Sequence, residues 1–567
     1  MSVSAATEPP AAAARPWFSS YPEGVPQEID VAAVGGLIDR INRSIVTYAD
    51  RDAFESFGVN FTYGAVAAQA KAFAGWLQKQ GLDRGDRVAL MMPNVMAYPI
   101  ALIGTLMAGC VVVNVNPLYT PRELEHQLKD SGARAIVVLE NFAHTVEATL
   151  PHAPVERVVV ASAGDALGFK GAIISFVARH IKKLVPRYEI PGAVSFKAAL
   201  ASKAPFKPAT IAPEDIAFLQ YTGGTTGVSK GATLTHRNVA ANIAQVEAWF
   251  ASSMAKTDGQ PVMVTALPLY HIYALTCCCF YLFALGGKNL LIANPRDIPG
   301  FIKTLRHSRF TCFSGVNTLY NALVHHPDIG KVDFSKLTMA SAGGMAMQSA
   351  VAKQWKARTG VPVTEGYGLS ETSPVLTTNR PDIVDFTGTI GFPLPSTDIA
   401  IRDPATGAEV SQGEPGELCA KGPQVMAGYW NRPDETARAT TNDGYFRTGD
   451  IAVMNADGSF RIVDRLKDMI IVSGFNVYPN EVEEVLSQHP GVLEVAVVGQ
   501  PDEHSGEAVA AYVVKRDPAL TEQALRDYAR ENLAGYKRPK TIVFRDSLPK
   551  TNVGKVLRRA LREEAAG

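Results

Sequence analysis

Between Thr222 and Gly231, four glycines, three threonines and a serine fall within ten positions, with Lys230 near the end. Glycines let successive backbone N–H groups converge on one anion, hydroxyls add donors, and the lysine adds a positive charge. That is the chemistry of holding a polyphosphate. The string is not the P-loop of nucleoside triphosphatases, which ends in Gly-Lys-Ser/Thr, because Lys230 stands between Ser229 and Gly231. A second string, Glu365-Gly366-Tyr367-Gly368-Leu369-Ser370-Glu371-Thr372, offers a flat aromatic face between glycines and a carboxylate at Glu371. A lone carboxylate is a hard oxygen ligand suited to Mg²⁺, which takes one or two carboxylates together with phosphate oxygens. Asp450, in Arg447-Thr448-Gly449-Asp450, is a carboxylate on a turn that could accept both hydroxyls of a ribose. By themselves, His271 between aromatics reads as a core histidine and Lys555 as one more surface lysine.

Elements must carry these groups. The apolar run Ile216 to Leu219 reads as a short buried strand feeding the glycine-rich loop, and Thr235-His236-Arg237-Asn238 as the start of a helix behind it. Apolar runs also precede Ser341-Ala342-Gly343-Gly344 and the Glu365 string, the usual place for ligand loops at strand ends. Upstream, a helical stretch at Phe73 to Gln78, a strand at Arg87 to Met92, a helix at Ile103 to Cys110 and strands at Val111 to Val115 and Ala135 to Leu139 give an α/β alternation. Downstream of Asp464 the texture changes. Helices at Glu481 to Gln488 and Thr521 to Leu533, with strands at Val492 to Val498, Ala508 to Val514 and Thr541 to Phe544, predict a small α+β domain.

At 567 residues the chain exceeds one core, and its net charge of zero argues against a nucleic-acid partner. The Ala- and Pro-rich start, residues 1–25, is expected to be a disordered tail rather than a secretory signal. Six cysteines, three of them consecutive at Cys277 to Cys279, match neither a disulfide framework nor a zinc spacing and fit a reducing compartment. The expected location is cytoplasmic.

The strings YTGGTTGVSKGA, PLYHIYAL, EGYGLSET, RTGD and RIVDRLKDMIIVSGFNVYPNE, taken together and in this order, resemble the AMP-forming acyl-adenylating enzymes. That superfamily includes acyl-CoA synthetases, luciferases and peptide-synthetase adenylation domains, and this chain looks most like bacterial long-chain fatty-acid–CoA ligases. The resemblance implies an α/β fold with a large N-terminal domain of mixed sheets and flanking helices, residues 26–464. It also implies a mobile α+β C-terminal domain, residues 465–567. The substrates would be a fatty acid, ATP and CoA, with Mg²⁺ as cofactor. Tyr221, Thr222, Gly223, Gly224, Thr225, Thr226, Gly227 and Lys230 would hold phosphates, and Gly344, Glu365, Gly366, Tyr367 and Ser370 would frame adenine. Asp450 and Arg465 would take the ribose, and Glu371 and Thr222 the metal. His271 would lie beside the acyl carboxylate and Lys555 would be the catalytic lysine, with Lys467 at the hinge and Gly474 in the CoA channel. Leu275 stands where some relatives carry a tryptophan gate to the acyl tunnel, and Asn552 departs from the commoner Thr-Gly-Lys ending. A medium-chain or aryl acid and a carrier protein as acyl acceptor stay open, as does a homodimer.

One segment stands outside these motifs. From Ala166 to Tyr188 there is no acidic residue, while Lys170, Arg179, Lys182, Lys183 and Arg187 are present. Wound as a helix from Ile173 to Val185, it puts Ser175, Arg179, Lys182 and Lys183 on one arc and apolar residues on the rest. A core helix with a solvated edge and a contact with anionic membrane both fit, and the missing acids favour the membrane.

Overall fold

The computed structural model describes residues 15–222, 229–473, 475–502, 504–550 and 556–565. Two large sheets form the body. One has eight strands in the order Gly428–Tyr429, Lys230–Thr235, Ile216–Thr222, Val111–Asn114, Arg87–Met91, Ala135–Leu139, Arg157–Ala161, Val194–Ser195. From Ile216–Thr222 outward its neighbours are parallel. The second has nine strands with a parallel centre, Met339–Ala342 lying between Cys312–Gly315 and Val363–Gly368. Parallel strands buried on both faces need near-continuous apolar runs, and Ala135–Leu139 is fully buried along its length.

The helices Tyr63–Lys79 and Ala97–Met107 pack on one another. Ala97–Met107 is buried at every residue, and the contact is close enough that a Cβ on Gly104 would sit 2.7 Å from Ala70 O. The helix His236–Met254 is capped by a reciprocal pair, Thr235 Oγ1 accepting from the Asn238 N–H and Asn238 Oδ1 accepting from the Thr235 N–H.

A four-stranded antiparallel sheet, Asp398–Arg402, Gly416–Lys421, Phe446–Met454 and Phe460–Arg465, follows the body. The turn Leu466–Asp468 then leads from Phe460–Arg465 into a different sheet that starts with Ile470–Val472. This last sheet joins Val492–Asp502, Gly506–Lys515 and Thr541–Arg545 with the helices Pro479–Ser487 and Glu522–Asn532 into a small α+β unit with its own core.

The start of the chain departs from the expected tail. Residues 15–25 dock on the body: Trp17 is buried with its ring 5.9 Å from that of Phe460, and the Tyr21 hydroxyl donates to Pro393 O at 2.6 Å. Burying Trp17 and packing the half-buried Tyr21 offsets the ordering cost that an Ala/Pro-rich composition alone would not meet. All six cysteines are unpaired, and burial pushes the Cys278 and Cys312 thiols up to about 12. Among the described residues no helix is long and apolar enough to cross a membrane.

Candidate active site

The strands Ile216–Thr222 and Lys230–Thr235 run antiparallel with Thr222 opposite Lys230, so the glycine-rich segment connects two fixed points. Gly223, Gly224, Thr225, Thr226 and Gly227 lie outside the described residues, as do Gly474 and Lys555. The base of the loop is braced from behind. Tyr221, expected among the phosphate contacts, is buried, and its hydroxyl donates to Asp130 Oδ2 at 2.6 Å. The same Asp130 accepts from Arg432 at 2.9 Å, and its carbonyl accepts from the Trp430 indole at 3.1 Å. The Tyr221 side chain is therefore a brace that pins the strand to the segment 428–432. On the far side of the loop, His126 Nε2 lies 3.0 Å from Ser229 O.

Lys230 pairs with Glu435 and sits 5.3 Å from the centroid of the Tyr429 ring. The Tyr429 hydroxyl donates to Glu371 Oε1 at 2.8 Å, and the Met426 N–H donates to Glu371 O at 2.7 Å. Glu371 lies in a single helical turn, Ser370–Thr372, directly after the strand Val363–Gly368. Burial pushes its carboxyl above the ordinary range, and the Tyr429 hydrogen bond and Arg465 oppose that. Among the described residues no three His, Cys, Asp or Glu side chains group as a metal cage. A cation that binds through one carboxylate and phosphate oxygens fits this donor set, whereas a metal needing an all-protein cage does not.

Asp450 is buried on the strand Phe446–Met454, opposite Arg465 in register. Its Oδ2 accepts from the Tyr367 hydroxyl at 2.6 Å, and its Oδ1 lies 2.8 Å from Arg465 Nε. Tyr367, Asp450 and Arg465, expected at adenine and ribose, are thus one contiguous group. Gly366 sits one residue before Tyr367 on the same strand, opposite Thr378. Gly344, exposed and with φ +78°, ends the strand Met339–Ala342 in a turn that a side chain would strain. Glu365 is buried, and its Oε1 accepts the Met347 N–H at 2.9 Å, so its side chain secures the loop after Gly344. Burial pushes this carboxyl up to about 8.

The segment just ahead of His271 is held in place by buried polar side chains. The Tyr98 hydroxyl lies 2.6 Å from Asn114 Oδ1 and 2.9 Å from Leu269 O. Asn114 donates to Gln220 at 3.0 Å, and Gln220 donates to Tyr270 O at 2.8 Å. The residues just ahead of His271 are therefore tied to the strand Ile216–Thr222, which enters the glycine-rich segment, and to its neighbour Val111–Asn114. Nδ1 of His271 accepts the Tyr273 N–H at 3.3 Å. Tyr273, inside the PLYHIYAL string but given no role from it, accepts from Ser314 at 2.9 Å, and its ring would lie 3.2 Å from a Cβ on Gly343. Leu275 is fully buried in the following helical segment Ala274–Phe280.

Lys467 is exposed in the turn between the two sheets. Around that turn the guanidinium of Arg558 reaches Glu483 at 2.8 Å, Asp468 at 3.4 Å and Asp464 at 3.6 Å, and Arg562 also pairs with Asp468. Asp464 is buried and pushed up to about 6 by desolvation, which Arg558 opposes. Arg558 stands three residues beyond Lys555, so the end of the chain is tied to the turn.

The chain matches the AMP-binding enzyme family over residues 41–430 and the AMP-binding enzyme C-terminal domain over 481–555. It is 53% identical over 555 residues to a long-chain-fatty-acid–CoA ligase of Escherichia coli O157:H7, covering 97% of this chain and 98% of the relative. A protein of the same name from Salmonella typhimurium is 52% identical over 555 residues, with the same coverage of both chains. Among solved structures, the anthranilate CoA ligase AuaEII in complex with anthranoyl-AMP superposes with a TM-score of 0.83 at 25% identity, covering 95% of this chain and 99% of that one.

Proposed function

The chain belongs to the AMP-binding enzyme family, and on that premise we propose that it is a long-chain-fatty-acid–CoA ligase with the residue roles that follow. The reaction joins a fatty acid to CoA at the expense of ATP in two steps. A carboxylate oxygen of the acid attacks the α-phosphorus, the bond to the β-phosphate breaks, and diphosphate leaves with an acyl-adenylate formed. The CoA thiol, having lost its proton, then attacks the acyl carbon, the C–O bond to the adenylate breaks, and AMP leaves.

In the first step negative charge moves onto phosphate oxygens, so catalysis needs fixed donors and cations rather than a side-chain nucleophile. The segment Thr222 to Lys230 holds the β- and γ-phosphates, and Lys230 exchanges Glu435 for phosphate as ATP enters. Glu371, with Thr222, would hold Mg²⁺, which would supply charge neutralisation on the phosphates. Tyr367 and the Gly344 and Gly366 backbone frame adenine, while Asp450 accepts the ribose hydroxyls and Arg465 holds Asp450 in place. Ser370 stands at the edge of this frame. His271 lies beside the acyl carboxylate, and Lys555 contacts the α-phosphate and the attacking carboxylate.

For the second step, the unit after Asp464 turns about Lys467 and presents the Gly474 loop to the pantetheine arm, a change of domain placement rather than of one side chain. The observation that best supports the reading is the Tyr367–Asp450–Arg465 group beside a second buried carboxylate, Glu371. Diphosphate release across an acyl-chain series, with and without CoA, tests it. Long-chain acids should give the highest kcat/KM, and thioester should form only with CoA. A preference for short or aryl acids, or adenylate accumulation in the presence of CoA, overturns it. The enzyme is further proposed to work in peripheral contact with anionic membrane, where an insoluble acid concentrates.

A further inference from the structure

The acid-free segment Ala166–Tyr188 is built the opposite way round from an ordinary surface helix. It is helical from Gly168 to Ile181, four residues short of the expected end at Val185, because Lys183 takes φ +49° and breaks it. Gly171, Ser175 and Arg179 are the residues that contact the body. Gly171 lies so close to Gly164 that a Cβ on either would stand 1.9 Å from the other's carbonyl oxygen. Ser175 Oγ meets Ser162 Oγ at 3.0 Å, and Arg179 donates to the buried Glu140 at 2.6 Å. At the end, Asn141 donates to Leu184 O at 3.0 Å. Arg179, expected on a solvated polar edge, stays half-exposed but anchors the helix to the body through Glu140.

The apolar residues are what this anchoring leaves outside. Phe169 is 84% exposed, Ile181 66%, Phe176 57%, Leu184 53% and Ile173 50%. Exposed single apolar residues need no explanation, but five large ones within sixteen positions on a docked segment do. The glycine contact, the serine pair and the Arg179–Glu140 pair hold the inner face, so the segment cannot roll its apolar side inward without pulling Arg179 off Glu140 and leaving that buried carboxylate unpaired. Lys170, Lys182, Lys183 and Arg187 are exposed on the same segment, and no acid lies between Ala166 and Tyr188.

We propose that Phe169–Leu184 is a preformed docking element that seats on an anionic bilayer, its apolar side chains in the interface and its lysines at the phosphate level. Charge decides among occupants. A second copy of a chain with net charge zero would bring the same lysines against themselves, whereas an anionic lipid surface complements them. The inference deepens the membrane contact proposed above, and it can fail without touching the ligase assignment because it is read with no substrate present.

The test is co-sedimentation of the full chain with phosphatidylglycerol/phosphatidylcholine vesicles, compared with pure phosphatidylcholine. The parent should bind the anionic vesicles. Lys182→Gln with Lys183→Gln should weaken binding roughly tenfold at low salt and less at high salt. Phe169→Ser with Phe176→Ser and Leu184→Ser should weaken it roughly 100-fold at any salt. These positions are exposed, and circular dichroism with turnover of a short soluble acid verifies that the variants remain folded. A tryptophan replacing Phe176 should shift to the blue on vesicle binding and be quenched by brominated acyl chains. No binding by the parent, or binding unchanged in both variants, overturns the proposal. So does a dimer in sedimentation equilibrium that the serine variant dissociates, since the face is then an interface between copies.

Discussion

The Tyr429 hydroxyl donates to Glu371 Oε1 at 2.8 Å while its ring lies 5.3 Å from Lys230 Nζ. One side chain thus joins the carboxylate proposed for the metal to the cation proposed for the phosphates, across a chain separation of 58 residues on one side and 199 on the other. The hydrogen bond favours the charged form of a carboxyl that burial otherwise disfavours.

Tyr429→Phe keeps the ring and removes that bond. A hydrogen bond to a charged group contributes about 1.5–3 kcal/mol, so kcat/KM for ATP should fall roughly tenfold or more. The loss also raises the Glu371 pKa further, so the acid limb of the pH–rate profile should move to higher pH and the half-saturating Mg²⁺ concentration should rise. An unchanged acid limb with a lowered kcat would mean that Tyr429 does no more than pack.

Strands were legible where apolar runs stand between turn signals: Ala135–Leu139 matches its expected range, and Arg87–Met91 ends one residue early. The helix expected from Ile103 starts at Ala97, because Pro99 reads as a breaker yet sits in the first turn, where its missing N–H costs nothing. In the site, the motif residues could be named because their types crowd at short spacing. Asp130, His126, Tyr429 and Arg558 could not, since each meets its partner only through the tertiary fold. The segment after Ala161 shows a different limit. Periodicity tells which residues share a face, but only Gly164, Ser162 and Glu140 decide which face turns inward.

Lys555→Ala should lose adenylate formation by roughly 10²–10³-fold while keeping thioester formation from supplied acyl-adenylate. The charge it would supply is needed only while the α-phosphate is attacked. Rates of the two half-reactions, measured separately, decide the matter. Equal losses in both would remove the division of labour between two domain placements.

Lys467→Pro should act in the opposite sense. The turn Leu466–Asp468 connects two sheets, and proline there fixes one φ near about −65° and restricts the residue before it. Exchange of diphosphate into ATP should survive while overall CoA turnover falls at least tenfold. A parallel fall in both would mean that the pivot lies elsewhere.

Glu365 makes a prediction about stability rather than turnover. Its carboxyl is pushed up to about 8 by burial, and the Met347 N–H only partly opposes this. The native state therefore holds a proton that the unfolded chain, with an ordinary glutamate pKa of about 4.3, has already released. By linkage this group favours folding in full below the unfolded value, and the advantage is lost as pH rises through the folded one. The slope is at most about 1.4 kcal/mol per pH unit. Glu365→Gln carries no proton to lose and can still accept from Met347. The melting temperature of the parent should therefore fall relative to the variant between pH 6 and 8, by roughly 2–4 °C for each kcal/mol. Asp464, raised in the same direction to about 6, is common to both proteins and cancels in the difference. Melting curves that stay parallel across that range would show that Glu365 is ionised in the folded protein and that its bond to Met347 is a charged one.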